Sequence, residues 1–529
     1  MNEANDQRIA AQIQQLREKA EQSELLEVEL NSFEIDVFYT VPGEGGSSNK
    51  ITIESQHREF LYEPLMTTVG EILAQNHVQL HRFRLFEIDS LDSDYPQFWR
   101  GLAANQVLKD VCFERVTIPN GPAAARFLAN PALESVEVTE CRFPDGIFDS
   151  FCQAIRSSRI KKLKIVFHFH SEGDSWSLLW SALEHGATCL ESLDVGVSIV
   201  APLGAENGFE SCLANNTTIQ RLHLNGFNVG DNAIPLLVAL GRGLAVNTTV
   251  KILHLDFNSQ HSNPTVDQQL IQTVFTEGLD HNMAVESLTV TVAASPGTVN
   301  ALVDGLERMM RNRANAATLD GHDQEGPMPV LKDLVIDCTN YTYEDDSGFG
   351  AIRDELFDRL SQSDVILVEN VKLDLPVVVP LLSSKVYDFI RSTQVTKSLE
   401  LITRCDLPLD NKLVDLATAM EANNSISELK VDREPLHKMT DLLQSRNKYR
   451  IRCQLRRNKL KVQSLQTDKN LSLLPLVLVR LLSSDGRSAD DEEHSEIEAR
   501  LSVGRTFVFE ILKDIPALFA VYGKRKRED

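Results

Sequence analysis

No run of apolar residues in this 529-residue chain is long enough to cross a bilayer. The most apolar stretch, LSLLPLVLVRLL at 471–482, ends after 12 residues and contains Arg480; a span needs about 20. The N-terminal MNEANDQRIAAQIQQLREKAEQSELLEVEL has no signal-peptide apolar core, so no membrane span and an intracellular protein are expected. Cysteine is sparse and scattered: the eight residues form no C-x-x-C and no Cys/His zinc spacing. Neither a disulfide framework nor a metal site is therefore expected, and the thiols read as small core residues. Without a secretory route, triplets such as Asn247-Thr248-Thr249 read as structural asparagines. Basic residues are outnumbered, 53 Lys plus Arg against 76 Asp plus Glu, for a net charge of -23. A chain this acidic is a poor general polyanion binder, and nucleic acid is not the expected partner.

Catalytic signatures are missing as well. There is no G-x-x-x-x-G-K-[ST], no H-E-x-x-H and no G-x-S-x-G. Gly43-Glu-Gly-Gly46 precedes no helix start and reads as a hairpin turn. His168 and His170 alternate on one strand face without a third ligand, so a surface pair is expected. Asp345-Asp346 and Asp354-Glu355-Asp358 read as solvated acidic faces. The chain is thus expected to be no enzyme and to carry no cofactor and no metal.

What is present is a repeat. With 42% hydrophobic and 24% charged residues the chain can bury a sizeable core. Leu, two residues, Asn, then an apolar residue six positions on recurs as Leu102/Asn105/Val111, Leu213/Asn216/Leu222, Leu244/Asn247/Leu253 and Leu279/Asn282/Leu288. Met420/Asn423/Leu429 follows loosely, Asn130 keeps the step to Val136, and Asn76 reaches Phe83 one residue late. After each Asn comes an alternating strand, starting at Val111, Val136, Leu163, Leu193, Leu222, Leu253, Leu288, Leu334, Val371, Leu399 and Leu429. Early steps are 25 to 35 residues; later ones reach 46 and 37, which implies insertions. Between strands lie helical patterns such as Ile234, Leu237, Leu240 and Leu244. Asn suits the helix end, because it tolerates the left-handed conformation and its amide bonds nearby backbone.

These residues resemble the leucine-rich repeat of the long, ribonuclease-inhibitor-like type. Leu133-x-x-Val136-x-Val138-x-x-Cys141-x-Phe143 fits L-x-x-L-x-L-x-x-N/C-x-L throughout, and Val250-x-x-Leu253-x-Leu255-x-x-Asn258 fits through its Asn. Val116, Phe227 and Ala293 stand where Asn or Cys is expected, so the family's internal ladder is mostly missing. The resemblance implies an α/β solenoid, with a curved parallel sheet on one face and helices on the other. The array spans 61–435. Residues 1–60 are expected to cap it as a helix over 5–27 and a hairpin of Phe33–Tyr39 with Lys50–Ile53. Residues 436–529 form the expected C-terminal capping module. In it, Tyr449, Ile451, Cys453 and Leu455 alternate with Arg450, Arg452 and Gln454 on the other strand face, and an acidic loop follows. QLRRNKL, LPLVLVRLL and FVFEILKDIPALF are similar to the closing module of algal and diatom leucine-rich-repeat proteins.

The resemblance implies protein–protein recognition through the sheet face, whose outward row runs Cys112, Glu137, Lys164, Asp194, His223, His254, Thr289, Val335, Lys372, Glu400, Lys430. Lys164, Asp194, His223 and His254 are the candidate contacts, with Asp256 two residues beyond His254 on the same face. Strand spacing should bring their Cβ atoms to about 5 Å, so that the two imidazoles cannot both charge freely near neutral pH. A GTPase-activating role, or one as a ubiquitin-ligase substrate adaptor, is the alternative that such families allow. Arg446 to Lys461 holds eight basic residues and no acid. Arg450, Arg452, Arg456 and Arg457 are either a docking patch or a cap strand. Lys524-Arg525-Lys526-Arg527 is a nuclear-import candidate or a solubilising end, which leaves cytoplasm and nucleus both open. Replacing Lys524 to Arg527 with alanines in a reporter fusion should move it out of the nucleus; an unchanged distribution makes the tail a solubilising end.

Overall fold

The computed structural model describes residues 3–20, 25–30, 34–40, 49–54, 59–75, 80–86, 95–118, 126–143, 146–167, 173–186, 189–197, 206, 208–225, 233–257, 264–292, 295–319, 330–338, 347–374, 383–402, 413–431, 434–435 and 454. The chain divides into two compact units, one running essentially to Leu356 and the other holding 357–362, 368–373 and 377 onward.

In the first unit, α1 (Glu3–Ala20) precedes β1 (Leu25–Leu30), β2 (Glu34–Thr40) and β3 (Asn49–Glu54). The helix expected over 5–27 stops seven residues early: Leu25, Val28 and Leu30 belong to a strand that pairs parallel with β4 (Arg82–Phe86). Leu26 of that run is fully buried, and its alternation of leucine and β-branched residues with glutamates suits a strand better than a polar helix. β2 and β3 pair antiparallel, with Val37 opposite Ile51, as the hairpin pattern implied.

From β4 onward the unit alternates strand and helix: β5 (Asp110–Glu114), β6 (Ser135–Cys141), β7 (Lys162–Phe167), β8 (Ser192–Val197), β9 (Arg221–Asn225), β10 (Ile252–Asp256), β11 (Ser287–Thr291) and β12 (Leu331–Asp337). The helices are α2 (Glu59–Ala74), α3 (Pro96–Ala104), α4 (Ile147–Ser157), α5 (Gly173–His185), α6 (Phe209–Asn215), α7 (Ala233–Val246), α8 (Pro264–Glu277) and α9 (Pro296–Leu319). Sheet order follows chain order from β4 to β12, all parallel, and the leucine positions align strand by strand: Val111 with Val136, then Leu163, Leu193, Leu222, Leu253, Leu288 and Leu334. Leu222, Leu224, Leu253 and Leu255 are at most 2% exposed. The fold is therefore α/β and of the leucine-rich-repeat kind. The second unit holds β13 (Val368–Asp374), α11 (Ser384–Ser392), β14 (Ser398–Ile402), α12 (Leu413–Ala422), β15 (Glu428–Val431) and β16 (Glu434–Pro435), where Leu399 lies opposite Leu429. The helix α10 (Ser347–Gln362) comes before β13.

The repeat asparagines bond nearby backbone as expected, but not from the left-handed conformation, and they also reach the preceding repeat. Asn105, Asn216 and Asn282 sit at ψ near 127° in extended backbone, not in the left-handed region. Each closes its helix with a buried amide instead. Asn247 Nδ2 donates to the carbonyls of Leu213 (2.7 Å) and Asn216 (3.1 Å) in the preceding repeat, while its Oδ1 accepts from the N–H of Thr249 (2.9 Å) and Val250 (2.8 Å) in its own turn. Asn282 bonds Leu244, Asn247, Ala284 and Val285 in the same way. Asn105, Asn130 and Asn216 also reach back one repeat and cap their own turns. In the second unit Asn423 spans Ile390 and Thr393. Ladder positions without Asn use other donors. Arg313, from the long α9, donates Nε to Asn282 O (2.9 Å) and Nη2 to Val285 O (2.8 Å). At Thr393 a hydroxyl accepts from the Thr396 N–H (3.2 Å).

A second ladder runs two residues before each leucine hub. In the first unit the row reads Lys109, Glu134, Lys161, Glu191, Gln220, Lys251, Glu286, Lys332. Neighbours pair across strands: Lys161 with Glu134 at 3.3 Å, Lys251 with Glu286 at 3.6 Å, and Lys332 with Glu286. In the second unit Lys397 meets Glu369 at 2.7 Å. Such exposed pairs contribute about 0.2–1 kcal/mol each, so they favour the register more than they hold the fold.

Asn247→Ala should cost about 3 kcal/mol or more, because it strands several buried backbone groups at about 1–3 kcal/mol each. Leu253→Ala should cost about 2–5 kcal/mol. Thr217→Ala, on an exposed turn, should stay within about 0.5. Urea unfolding of the three variants checks the order, and an Asn247 variant as stable as the Thr217 one would refute the ladder's role.

Candidate functional site

The alternation that buries the leucine hubs turns the residue after each of them toward the other face of the sheet. Lys164, Asp194, His223 and His254 therefore fall in one row, each in register with the next strand except that Asp194 and His254 are separated by His223. Glu137, in register with Lys164, carries its ion pair at 2.5 Å. Cys112 belongs to the same row but is only 7% exposed, contrary to an outward contact role. Arg84 and Glu137 stand beside it in register. Burial pushes its thiol up to about 12, so it is a poor nucleophile.

The two imidazoles pack face to face across adjacent strands in register. Their rings stack with centroids 3.9 Å apart and planes 12° from parallel. His223 Nδ1 lies 3.0 Å from Asp194 Oδ2, and Asp194 Oδ1 accepts from Asn225 Nδ2 at 2.8 Å. That second bond crosses β8 over Gly196, where a Cβ would meet Asn225 Oδ1 at 2.2 Å and Val166 Cγ2 at 2.8 Å. Only a glycine leaves the amide room to reach its carboxylate. On the other side His254 Nε2 is 3.4 Å from Thr291 Oγ1. The result is a polar chain from Asn225 through Asp194, His223 and His254 to Thr291. Burial, with the neighbouring His223, pushes the His254 imidazolium down to about 4 against a usual 6.5, although Asp194 and Asp337 pull the other way. His254 is consequently neutral across the physiological range, and its own charge change falls below the neutral region.

Asp256 shares this face and pairs in register with Thr291, which pairs with Asp337; the carboxylate that orders the stack is Asp194. Asn225, Gly196 and Thr291 were not among the residues read from sequence. The signal for Asn225 was available, since it stands two residues after His223 as Asp256 stands two after His254. Nothing local marks Gly196, whose importance comes from a side chain one strand away.

No group of three or more His, Cys, Asp or Glu among the described residues is arranged to hold a metal ion. On the helix side a cleft between α6 and α7 is lined by Glu210, Ser211, Asn215, Val238 and Arg242. Ser211 there donates to Glu184 at 2.6 Å, without an imidazole to activate it. Asp354 pairs with Arg353 at 2.8 Å, and Asp358 with Lys385. No helix among the described residues is long and apolar enough to cross a membrane. Arg450, Arg452, Arg456, Arg457, His168, His170 and Lys524 to Arg527 lie outside the described residues. Gln454, expected outward beside Arg452, is 6% exposed and donates Nε2 to Asn423 O at 2.6 Å. It extends the asparagine ladder rather than facing solvent, because an unpaired carbonyl at the last rung would be costly.

No protein-family profile matches the chain, and no curated protein sequence does. Among solved structures, the chain is similar to the leucine-rich repeat-containing protein LegL7 from Legionella pneumophila. The match has 12% identity and a TM-score of 0.36, and covers 64% of this chain and 95% of that one.

The sign of the His254 effect is fixed by linkage. Its pKa is about 4 folded and near 6.5 unfolded, so in between the unfolded chain takes up a proton that the folded one refuses. Stability present above about 6.5 is then lost as pH falls toward 4. Urea midpoints at pH 7 and pH 4.5 should fall more for the native protein than for His254→Gln; equal falls would show that the ring is not shielded.

Proposed function

We propose that this protein is a non-enzymatic recognition scaffold that binds another protein through the sheet face of its repeat array. Lys164, Asp194, His223, His254 and Asp256 form the centre of the contact surface. Residues 1–60 and 436–529 serve as the caps of the array at 61–435. The observation that carries this reading is the ordered polar chain on the sheet face. Its members lie at positions the leucine core does not need, yet they are held in fixed geometry by Asp194, Asn225 and the space over Gly196. Side chains already locked before contact lose little entropy on binding, which suits a surface that reads a partner. The ribonuclease-inhibitor-like type of repeat, which such a surface would fit, accords with the helix-bearing units of 25 to 35 residues.

The test is affinity capture with the intact chain, in parallel with Asp194→Lys and Lys164→Glu. A partner retained by the native protein and lost from both charge reversals supports the assignment. Capture that is indifferent to both places recognition elsewhere.

A further inference from the structure

We infer that the outward face of β8–β12 docks a Lys- or Arg-rich segment of the partner protein, with the His223–His254 stack as its floor. This rests on the sheet face being the recognition surface, and it adds the chemistry of what is recognised.

The charge on the sheet face changes sign of excess at β8. β7 presents Lys162 and Lys164. From β8 to β12 the outward positions carry Asp194, Asp256, Asp333 and Asp337 against Arg221, and the exposed Lys332 of β12 is paired with Glu286. These carboxylates are half-buried, at the depth where Coulomb interactions are screened less than on an open surface. Asp256, Thr291 and Asp337 share a row across adjacent strands in register, so the two acids stand about 10 Å apart, twice the ~4.8 Å strand spacing. A polyproline II segment rises about 3.1 Å per residue with three residues per turn, so basic residues at every third position share one side and recur at nearly that same interval. The polar chain Asn225, Asp194, His223, His254, Thr291 lies beside the row and adds only one formal acid to it. The flat imidazole pair leaves the carboxylates to either side as the electrostatic anchors. An acidic segment would meet like charge here, and like-charge juxtaposition is a strong bar to a wrong partner.

The test uses the full chain and a fluorescein-labelled ten-residue peptide with Arg at every third position, followed by anisotropy at about 150 mM salt, where non-specific attraction over more than about 8 Å is largely screened. The face variant combines Asp256→Asn, Asp333→Asn and Asp337→Asn. A control with the same change in net charge combines Asp149→Asn, Glu210→Gln and Asp304→Asn on exposed helix positions. Circular dichroism verifies that both are folded. The face variant should bind at least tenfold more weakly, the control less than twofold, and the same peptide with Glu in place of Arg should not bind. Equal weakening in face variant and control, binding of the Glu peptide, or no binding of the Arg peptide would each overturn the proposal. So would self-association of the native chain in sedimentation that the face variant abolishes, since a second copy would then occupy the face. If native capture still depends on Asp194 and Lys164 while the Arg peptide fails, recognition by the sheet face stands and only the basic partner is wrong.

Discussion

A buried primary amide at the helix end, present at Asn105, Asn130, Asn216, Asn247, Asn282 and Asn423, governs how those repeats stack. An asparagine side chain holds two donors and an acceptor within a few ångströms. At Asn247 and Asn282 the donors satisfy carbonyls left open at the end of the previous helix, and the acceptor satisfies the N–H groups of the next turn. A helix end would otherwise bury orphan groups. Because both sets lie on different repeats, the same bonds that relieve the burial also set the offset between neighbours. The leucine hubs then fall opposite one another, and the backbone at the start of each strand follows: Lys251 N–H donates to Gln220 O at 2.8 Å and Glu286 N–H to Lys251 O at 2.7 Å.

Where an insertion lengthens the repeat, the requirement persists although the residue changes. Arg313 arrives from a 24-residue helix and bonds the carbonyls of Asn282 and Val285. Desolvation pushes its guanidinium down to about 10, a cost offset by those two charge-assisted bonds. Arg308, one turn earlier, meets Asp280 at 2.6 Å, and Asn312 caps the Asp280 carbonyl at 3.0 Å. One face of α9 thus replaces by three side chains what a short repeat does with one.

With offset and core set from the helix ends and the inner strand positions, the outward positions are released from folding. That freedom is what permits a stacked histidine pair, a carboxylate held from two sides and a bias toward acids from β8 to β12. None of these helps the core: His254 is destabilised in its charged form by the very burial that orders it. Groups that a fold does not need and holds in place nonetheless are the natural carriers of function.

The sequence by itself determined the repeat, its phase and both faces of each strand. The side-chain period of two and the recurring Leu-x-x-Asn spacing are local properties, legible at Leu222 or Leu253 without any neighbour. It also placed His223 and His254 in one row, since position within the repeat is preserved by parallel pairing. Tertiary structure alone decided the rest. Asn105 and its equivalents read as left-handed helix stops because the carbonyls they bond, 25 to 38 residues away, have no mark in the local pattern. Leu25 to Leu30 joined a strand rather than a helix because Arg82 to Phe86 offered it a parallel edge. Gly196 became necessary through Asn225, Cys112 was buried beside Arg84 and Glu137, and His254 lost its charge to burial. Each of these depends on what lies one strand over, a distance that the chain spans only after it has folded.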